Sequence, residues 1–146
     1  MDYSKKKNTL IDAVKKAKWA IFNQLMECEE IDINSQDEDG KTALMYAAID
    51  GDWDIFNRLL EHKKIDVNVK DNNGKTAMMH ASIKRNWFHF IPLMECKETD
   101  VNVQDNNGMT ALMHASANGY WDIVNRLLDC KEIDVNLQNN NGKTAQ

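Results

Sequence analysis

Apolar residues fall along this chain in short bursts that come in pairs. Behind Thr42, the residues Leu44, Ala47 and Ala48 share one face of a helical segment. A few residues later Ile55, Phe56, Leu59 and Leu60 recur at i, i+1, i+4 and i+5, a second apolar face. The same two bursts follow Thr76 and Thr110. Threonine is a good N-cap, so each threonine predicts a first helix of about nine residues. A second helix is predicted from near Trp53 to His62 and from near Trp121 to Cys130. Gly51 and Gly119 fall between the two helices and are expected to end the first in the left-handed conformation. Asn73-Gly74 and Asn107-Gly108 are turn signals and predict finger-like loops between helix pairs. Leu10-Ile11, Ala13, Ala17, Trp19, Ile21 and Leu25-Met26 keep the helical spacing in a more degenerate opening segment.

The bursts are periodic. Gly40, Gly74, Gly108 and Gly142 lie 34 residues apart, and so do Trp19, Trp53, Trp87 and Trp121, and Asn34, Asn68, Asn102 and Asn136. Three columns sharing one such period mark a stacked repeat array, a solenoid whose units contact their neighbours. Ala47, Ala48, Ala81 and Ala115 are small where adjacent helices must approach. The tryptophan column reads as packing, each indole stacking on the unit before it.

The residues at the heart of the period are Asp105-Asn106-Asn107-Gly108-Met109-Thr110-Ala111-Leu112-Met113-His114-Ala115. They recur from Asp71 to Ala81 and from Asp37 to Ala47, and start again from Asn139 to Ala145. With Gly51 and Gly119, the Leu59-Leu60 and Leu127-Leu128 pairs and the Asp66-Val67-Asn68 ending, this unit resembles the ankyrin repeat over nearly the whole chain. It departs from the family's pattern at Ala43, Ala77 and Ala111, where proline is usual, and at Met45, Met79 and Met113, where histidine is usual. Each unit is also one residue longer, through Lys63-Lys64-Ile65 or Lys131-Glu132-Ile133. The resemblance implies an all-α, ankyrin-like solenoid of helix-turn-helix units with β-hairpin-type loops. Its units are an N-terminal cap over 1–36, full repeats over 37–70, 71–104 and 105–138, and a partial repeat over 139–146. It also implies a module that binds another protein through its concave face. The alternative is a structural or assembly spacer without a groove ligand.

Helical geometry singles out the residues of that face. Tyr46, Ile49 and Asp50 are neighbours at i, i+3 and i+4, away from Leu44, Ala47 and Ala48. The matching sets are His80, Ile83 and Lys84, then His114, Ala117 and Asn118. The loop tips add Lys41, Lys75 and Met109, beside Glu38, Asp39, Asn72, Asn73, Asn106 and Asn107. These positions vary while the framework is constant, as partner-contacting residues would. Tyr46, His80 and His114 are expected to avoid the core, so removing them should leave the fold intact.

Composition narrows the function further. The 146 residues carry a net charge of −5 with both signs interleaved, which argues against a nucleic-acid binder and its basic stripe. Lys5, Lys6, Lys7, Lys15, Lys16 and Lys18, with Asp12, read as the solvated outer face of the cap. Nothing approaches the roughly 18 apolar residues of a membrane span, and no apolar segment follows Met1 to Lys5 to make a secretory signal. Cys28, Cys96 and Cys130 occupy one position of their repeats. Packed helices sit about 8–10 Å apart and a disulfide needs Cα atoms within about 7 Å, so the thiols are expected to stay reduced in a cytoplasmic compartment.

No cofactor, metal or catalytic set is expected. The loop from Asp100 has Asp105 and Ala111 where a calcium loop needs glycine and glutamate. His80 and His114 lack the companion ligands of a zinc site, and a Cys96–His80 pair lacks an orienting group. The unit over 71–104 is irregular. Arg85 replaces a glycine, Pro92 falls inside the second helix, and Phe88 and His89 stand where Asp54 and Ile55 do, a pattern read as drift. Ala115, Trp121, Ile123, Val124, Leu127 and Leu128 show no polar replacement. The last repeat is therefore expected to lack a cap, which implies a longer chain or weak self-association there.

Overall fold

The computed structural model describes residues 10–145. Lys5, Lys6, Lys7 and Gln146, placed by the sequence in the end cap and the partial repeat, lie outside the described residues. Among the described residues the chain forms eight helices and no strand. They are α1 (10–15), α2 (Trp19–Met26), α3 (Ala43–Asp50), α4 (Trp53–Leu60), α5 (Ala77–Ile83), α6 (Trp87–Glu95), α7 (Ala111–Ala117) and α8 (Trp121–Leu128). They stack as antiparallel pairs. α3 packs on α5 and α5 on α7, while α3, α5 and α7 each pack on the second helix of their own pair.

Small residues let the first helices approach. Ala47, Ala81 and Ala115 are fully buried, and a column of large side chains, Phe22, Phe56 and Phe90, fills the space between pairs. Each such ring contributes roughly 2–3 kcal/mol by leaving water. Thr42, Thr76 and Thr110 cap their helices, each hydroxyl oxygen accepting from the amide three residues on, Met45, Met79 or Met113, at 3.2–3.3 Å. Both kinds of helix are shorter than the periodicity predicts. α4 and α8 stop at Leu60 and Leu128 because the chain tightens there: His62 N–H donates to Leu59 C=O and Cys130 N–H to Leu127 C=O, three residues back.

The turn within each pair holds a correction. Gly119 takes the left-handed conformation, φ 69°, and so do its column mates Ala17 and Arg85, both at φ 52°. Gly51 does not. Its φ of −89° and ψ of 159° are extended. α3 runs one residue further, and Asp52 caps α4 through bonds from the Asp54 and Ile55 amides. Glycine is required at 51 for room, since a Cβ would stand 2.3 Å from the Cα of Ala47.

The tryptophans are also misread by the sequence. Trp53, Trp87 and Trp121 are 44%, 36% and 61% exposed. Trp53 stacks on Phe56 of its own helix and meets His89 of the following pair, not the pair before. α6 continues through Pro92, and Thr99 Oγ1 satisfies the Leu93 carbonyl at 2.5 Å where the helix ends.

Candidate functional site

Three aspartates build the finger loops, Asp71 and Asp105 buried and Asp37 half-buried. Asp71 Oδ1 accepts from the amides of Asn73 and Lys75, both at 2.9 Å, and the Asp71 amide donates to the Lys75 carbonyl at 2.9 Å. Asp37 and Asp105 do the same for Asp39 and Lys41, and for Asn107 and Met109. The tip is closed by a glycine with positive φ, 77–79° at Gly40 and Gly74 and 75° at Gly108. Consecutive loops are tied together by asparagines. Asn72 donates its amide and its Nδ2 to the Asp39 and Glu38 carbonyls, and Asn106 repeats this on Asn73 and Asn72 at 2.9–3.0 Å. Asn72 and Asn106, expected to meet a partner, therefore spend their side chains on the stack. A second ladder runs below, where Asn68 accepts from the Asp100 amide at 2.8 Å and donates to the Glu98 carbonyl at 2.6 Å. Asn34 and Asn102 match it.

The remaining oxygen of each aspartate receives the residue nine positions on. Tyr46 Oη donates to Asp37 Oδ2, His80 Nε2 lies 2.7 Å from Asp71 Oδ2, and His114 Nε2 lies 2.8 Å from Asp105 Oδ2. A carboxylate only accepts, so each ring carries its proton on Nε2. This corrects the expectation that these three side chains avoid the framework. The imidazole side chains are only 12% and 16% exposed, and they lock the loop to the first helix. The Asp-to-Tyr or Asp-to-His spacing of nine, repeated three times in the sequence, is the signal that discloses this role.

The local electrostatics follow from burial and these bonds. Burial pushes the Asp71 carboxyl up, but bonds from the Lys75 amide, the His80 ring and the Asn73 amide outweigh it and hold it below the ordinary carboxylate value. Asp105 is held down likewise, chiefly by His114 and the Met109 amide. His80 is lowered, first by burial; Asp71 opposes the shift, while Lys41 and Lys75 add to it. Burial and Asp37 raise the Tyr46 hydroxyl beyond its usual value.

What stays open on this face is the rest of the expected set. Asp50, Lys84, Ala117 and Asn118 are exposed; Lys41, Ile49, Lys75, Ile83 and Met109 are half-buried. Lys15, assigned by the sequence to the outer face of the cap, reaches over the Tyr46 ring at 4.9 Å, with Lys41 at 6.0 Å from the same ring. Val14, Lys15, Tyr46, Ile49 and Asp50 bound a hollow of about 190 Å³. Lys16 and Lys18 do remain at the solvated end, paired with Asp12. At the opposite end a more apolar groove of about 330 Å³ runs beside Trp121, Leu128 and Val135. Ala145 lines one side of it, its carbonyl accepting from Ser116 Oγ as Ala111 accepts from Ser82.

The described residues hold no group of three or more histidine, cysteine or carboxylate side chains placed for a metal, and no helix among them is long and apolar enough to cross a membrane. None of the three cysteines forms a disulfide; Cys96 and Cys130 donate to Glu98 and Glu132.

A search of the curated proteins finds no match to the chain. Two family models do match it. One, described as ankyrin repeats (3 copies), covers residues 10–91, and the other, ankyrin repeats (many copies), covers residues 93–145. With helix pairs, finger loops and both asparagine ladders repeating in step, the chain belongs to the ankyrin-repeat family.

Proposed function

We propose that this chain is a protein–protein interaction module whose partner seats on the concave face of finger loops and first helices. The carrying observation is a division of labour. On each loop the aspartate and its Tyr46, His80 or His114 are consumed internally. The neighbours that differ from pair to pair, Asp50, Lys84 and Asn118, are left exposed at the surface. Charge on this face is mixed: Lys15, Lys41, Lys75 and Lys84 sit among Glu38, Asp39 and Asp50. That composition suits a polar and apolar protein surface better than a polyanion or a lipid headgroup layer. Ankyrin repeats are generally interaction modules without catalytic activity, which supports the same reading. We read the chain as a cap over 1–36, three full repeats and a partial one, working in the cytoplasm, with the groove beside Trp121 as a site of weak self-association.

The test is affinity capture coupled to mass spectrometry, comparing wild type with the triple variant Ile49→Ala, Ile83→Ala and Met109→Ala after circular dichroism shows it folded. A protein held by wild type and released by the variant supports the reading. Retention of every captured protein by the folded variant favours the spacer instead.

A further inference from the structure

The seam between α4 and α6 differs from its counterparts along the stack. In the column that places Ile55 and Ile123 at full burial, the third pair carries His89. His89 is 7% exposed, and neither Nδ1 nor Nε2 of its ring has a hydrogen-bond partner. It is wedged against two rings of the preceding pair, with centroids 4.5 Å from Phe56 and 5.6 Å from Trp53. The Gly51 backbone is near without completing a bond. Gly51 is also the one extended residue in the turn column, and Asn86 reaches across from the start of α6 to the Ala48 carbonyl at 3.2 Å. Three departures from the repeat pattern thus meet at one place.

A buried polar ring without partners is tolerable only when neutral. Protonation would add a second N–H and a charge where the one acceptor near the ring, the Gly51 backbone, completes no bond and is outweighed by burial. No ion stands ready to offset it. From α4 the ring meets the rings of Trp53 and Phe56, neither of which carries a charge. In the adjoining turn Asp50, Asp52 and Asp54 are exposed, and the Asp52 carboxylate is occupied by backbone amides. On its own pair Lys84 is exposed and Arg85 turns to Asp122 at 3.4 Å.

We propose that His89 makes this seam an acid-released latch: on protonation the ring leaves for water, α6 parts from α4, and the array opens between its second and third helix pairs. The latch is a property of the stack beyond the binding reading and stands whether or not that reading does. Its sign follows from linkage. Burial lowers the proton affinity of the folded ring beneath the ordinary 6.5. The unfolded or opened form therefore binds the proton more readily. The seam is fully stable above that value and weakens as pH falls through it toward the lower folded value. Each unit of lowered affinity is a tenfold rise in the opening constant once both values are passed.

The test is hydrogen exchange of the full chain, as protection factors, at about pH 7.5 and about pH 5.5, either side of the ordinary histidine value. Wild type is compared with His89→Ile, the residue of both sibling positions, and with His89→Gln, polar but not titrating. Opening of Trp53–Leu60 and Trp87–Glu95 should rise several-fold at the lower pH in wild type and stay flat in both variants. An equal rise in wild type and His89→Ile overturns the latch, as does an acid effect spread evenly over α7 and α8. Should His89→Ile fail to fold, a His89→Gln protein that keeps the wild-type acid response overturns it alone.

Discussion

In the loops at 37–41, 71–75 and 105–109 the same bonds recur almost without change: every aspartate accepts from the amide four residues on at 2.9 Å. The turns inside the helix pairs share the 34-residue period and diverge, with φ at 52°, −89°, 52° and 69° at Ala17, Gly51, Arg85 and Gly119. The difference is one of physical kind. A loop must satisfy buried backbone donors at fixed angles, and few side chains can do so. A turn capped by apolar packing answers to a non-directional force and tolerates several shapes. Substitutions should therefore be severe in the loops and, outside the crowded Gly51, mild in the turns.

The largest effect is expected at Asp105, whose side chain is fully buried under its bonds to His114, Asn107 and Met109. Asp105→Ala leaves two amides and a ring without acceptors and should lower the unfolding free energy by about 3 kcal/mol in urea titration. Asp105→Asn should lose only about 1 kcal/mol. The fourth loop already works that way, Asn139 Oδ1 accepting from the Asn141 and Lys143 amides at 2.9 and 3.1 Å. The pH dependence separates the two residues. The folded Asp105 carboxyl lies below the ordinary 3.8, so its contribution is present above 3.8 and lost as pH falls through the folded value. Asp105→Asn should flatten that acid limb. Equal losses in Asp105→Ala and in a turn variant would break the comparison.

A second effect separates backbone shape from the ladder. At Gly74, φ is 79°, and a Cβ would lie 2.7 Å from Asn106 Oδ1 and 2.8 Å from its amide. Gly142 has φ 75° and nothing within 4 Å. Gly142→Ala should therefore lose only the roughly 1 kcal/mol of the left-handed conformation, and Gly74→Ala about 2 kcal/mol, the excess reporting the bond to the next loop. Thermal melts of the two variants measure the difference directly.

In the turns the sign should reverse. Arg85 holds φ 52° at a position where its column mate is Gly119. Arg85→Gly relieves that strain and forfeits the exposed ion pair to Asp122 and the contact over the Tyr120 ring at 5.3 Å. The net expectation is a gain below about 1 kcal/mol. A loss of about 2 kcal/mol would show the turns to be as exacting as the loops.

The sequence discloses the two halves of this comparison unequally. The period, the threonine caps and the tip glycines are local signals, and the structure places all of them as read. Gly51 reads as a left-handed stop because glycine serves two needs, positive φ and absence of a Cβ, and only the folded structure separates them. Tyr46, His80 and His114 were read as surface because helical periodicity tells which face a side chain leaves by, not whether a loop carboxylate waits there. His89 was read as drift because its meaning lies in Phe56 and Trp53, more than thirty residues earlier.

The smallest stability effect is expected at the side chain of Lys75, whose backbone belongs to the loop's bond network while its ammonium stands outside it. Its ammonium is 3.8 Å from Asp105 Oδ2 on a side chain 21% exposed, a long pairing beside the direct bond from His114. Met109 holds the same place one repeat on. Lys75→Met should therefore change the unfolding free energy by less than about 0.5 kcal/mol. Two other readouts should move. Lys75 is one of the charges that lower the His80 titration, so the ring should titrate higher in the variant, by nuclear magnetic resonance. If the concave face binds the partner, capture of that partner should weaken while the melt stays put. A melt that falls by more than about 1 kcal/mol would place Lys75 among the loop's framework residues and remove it from the binding face.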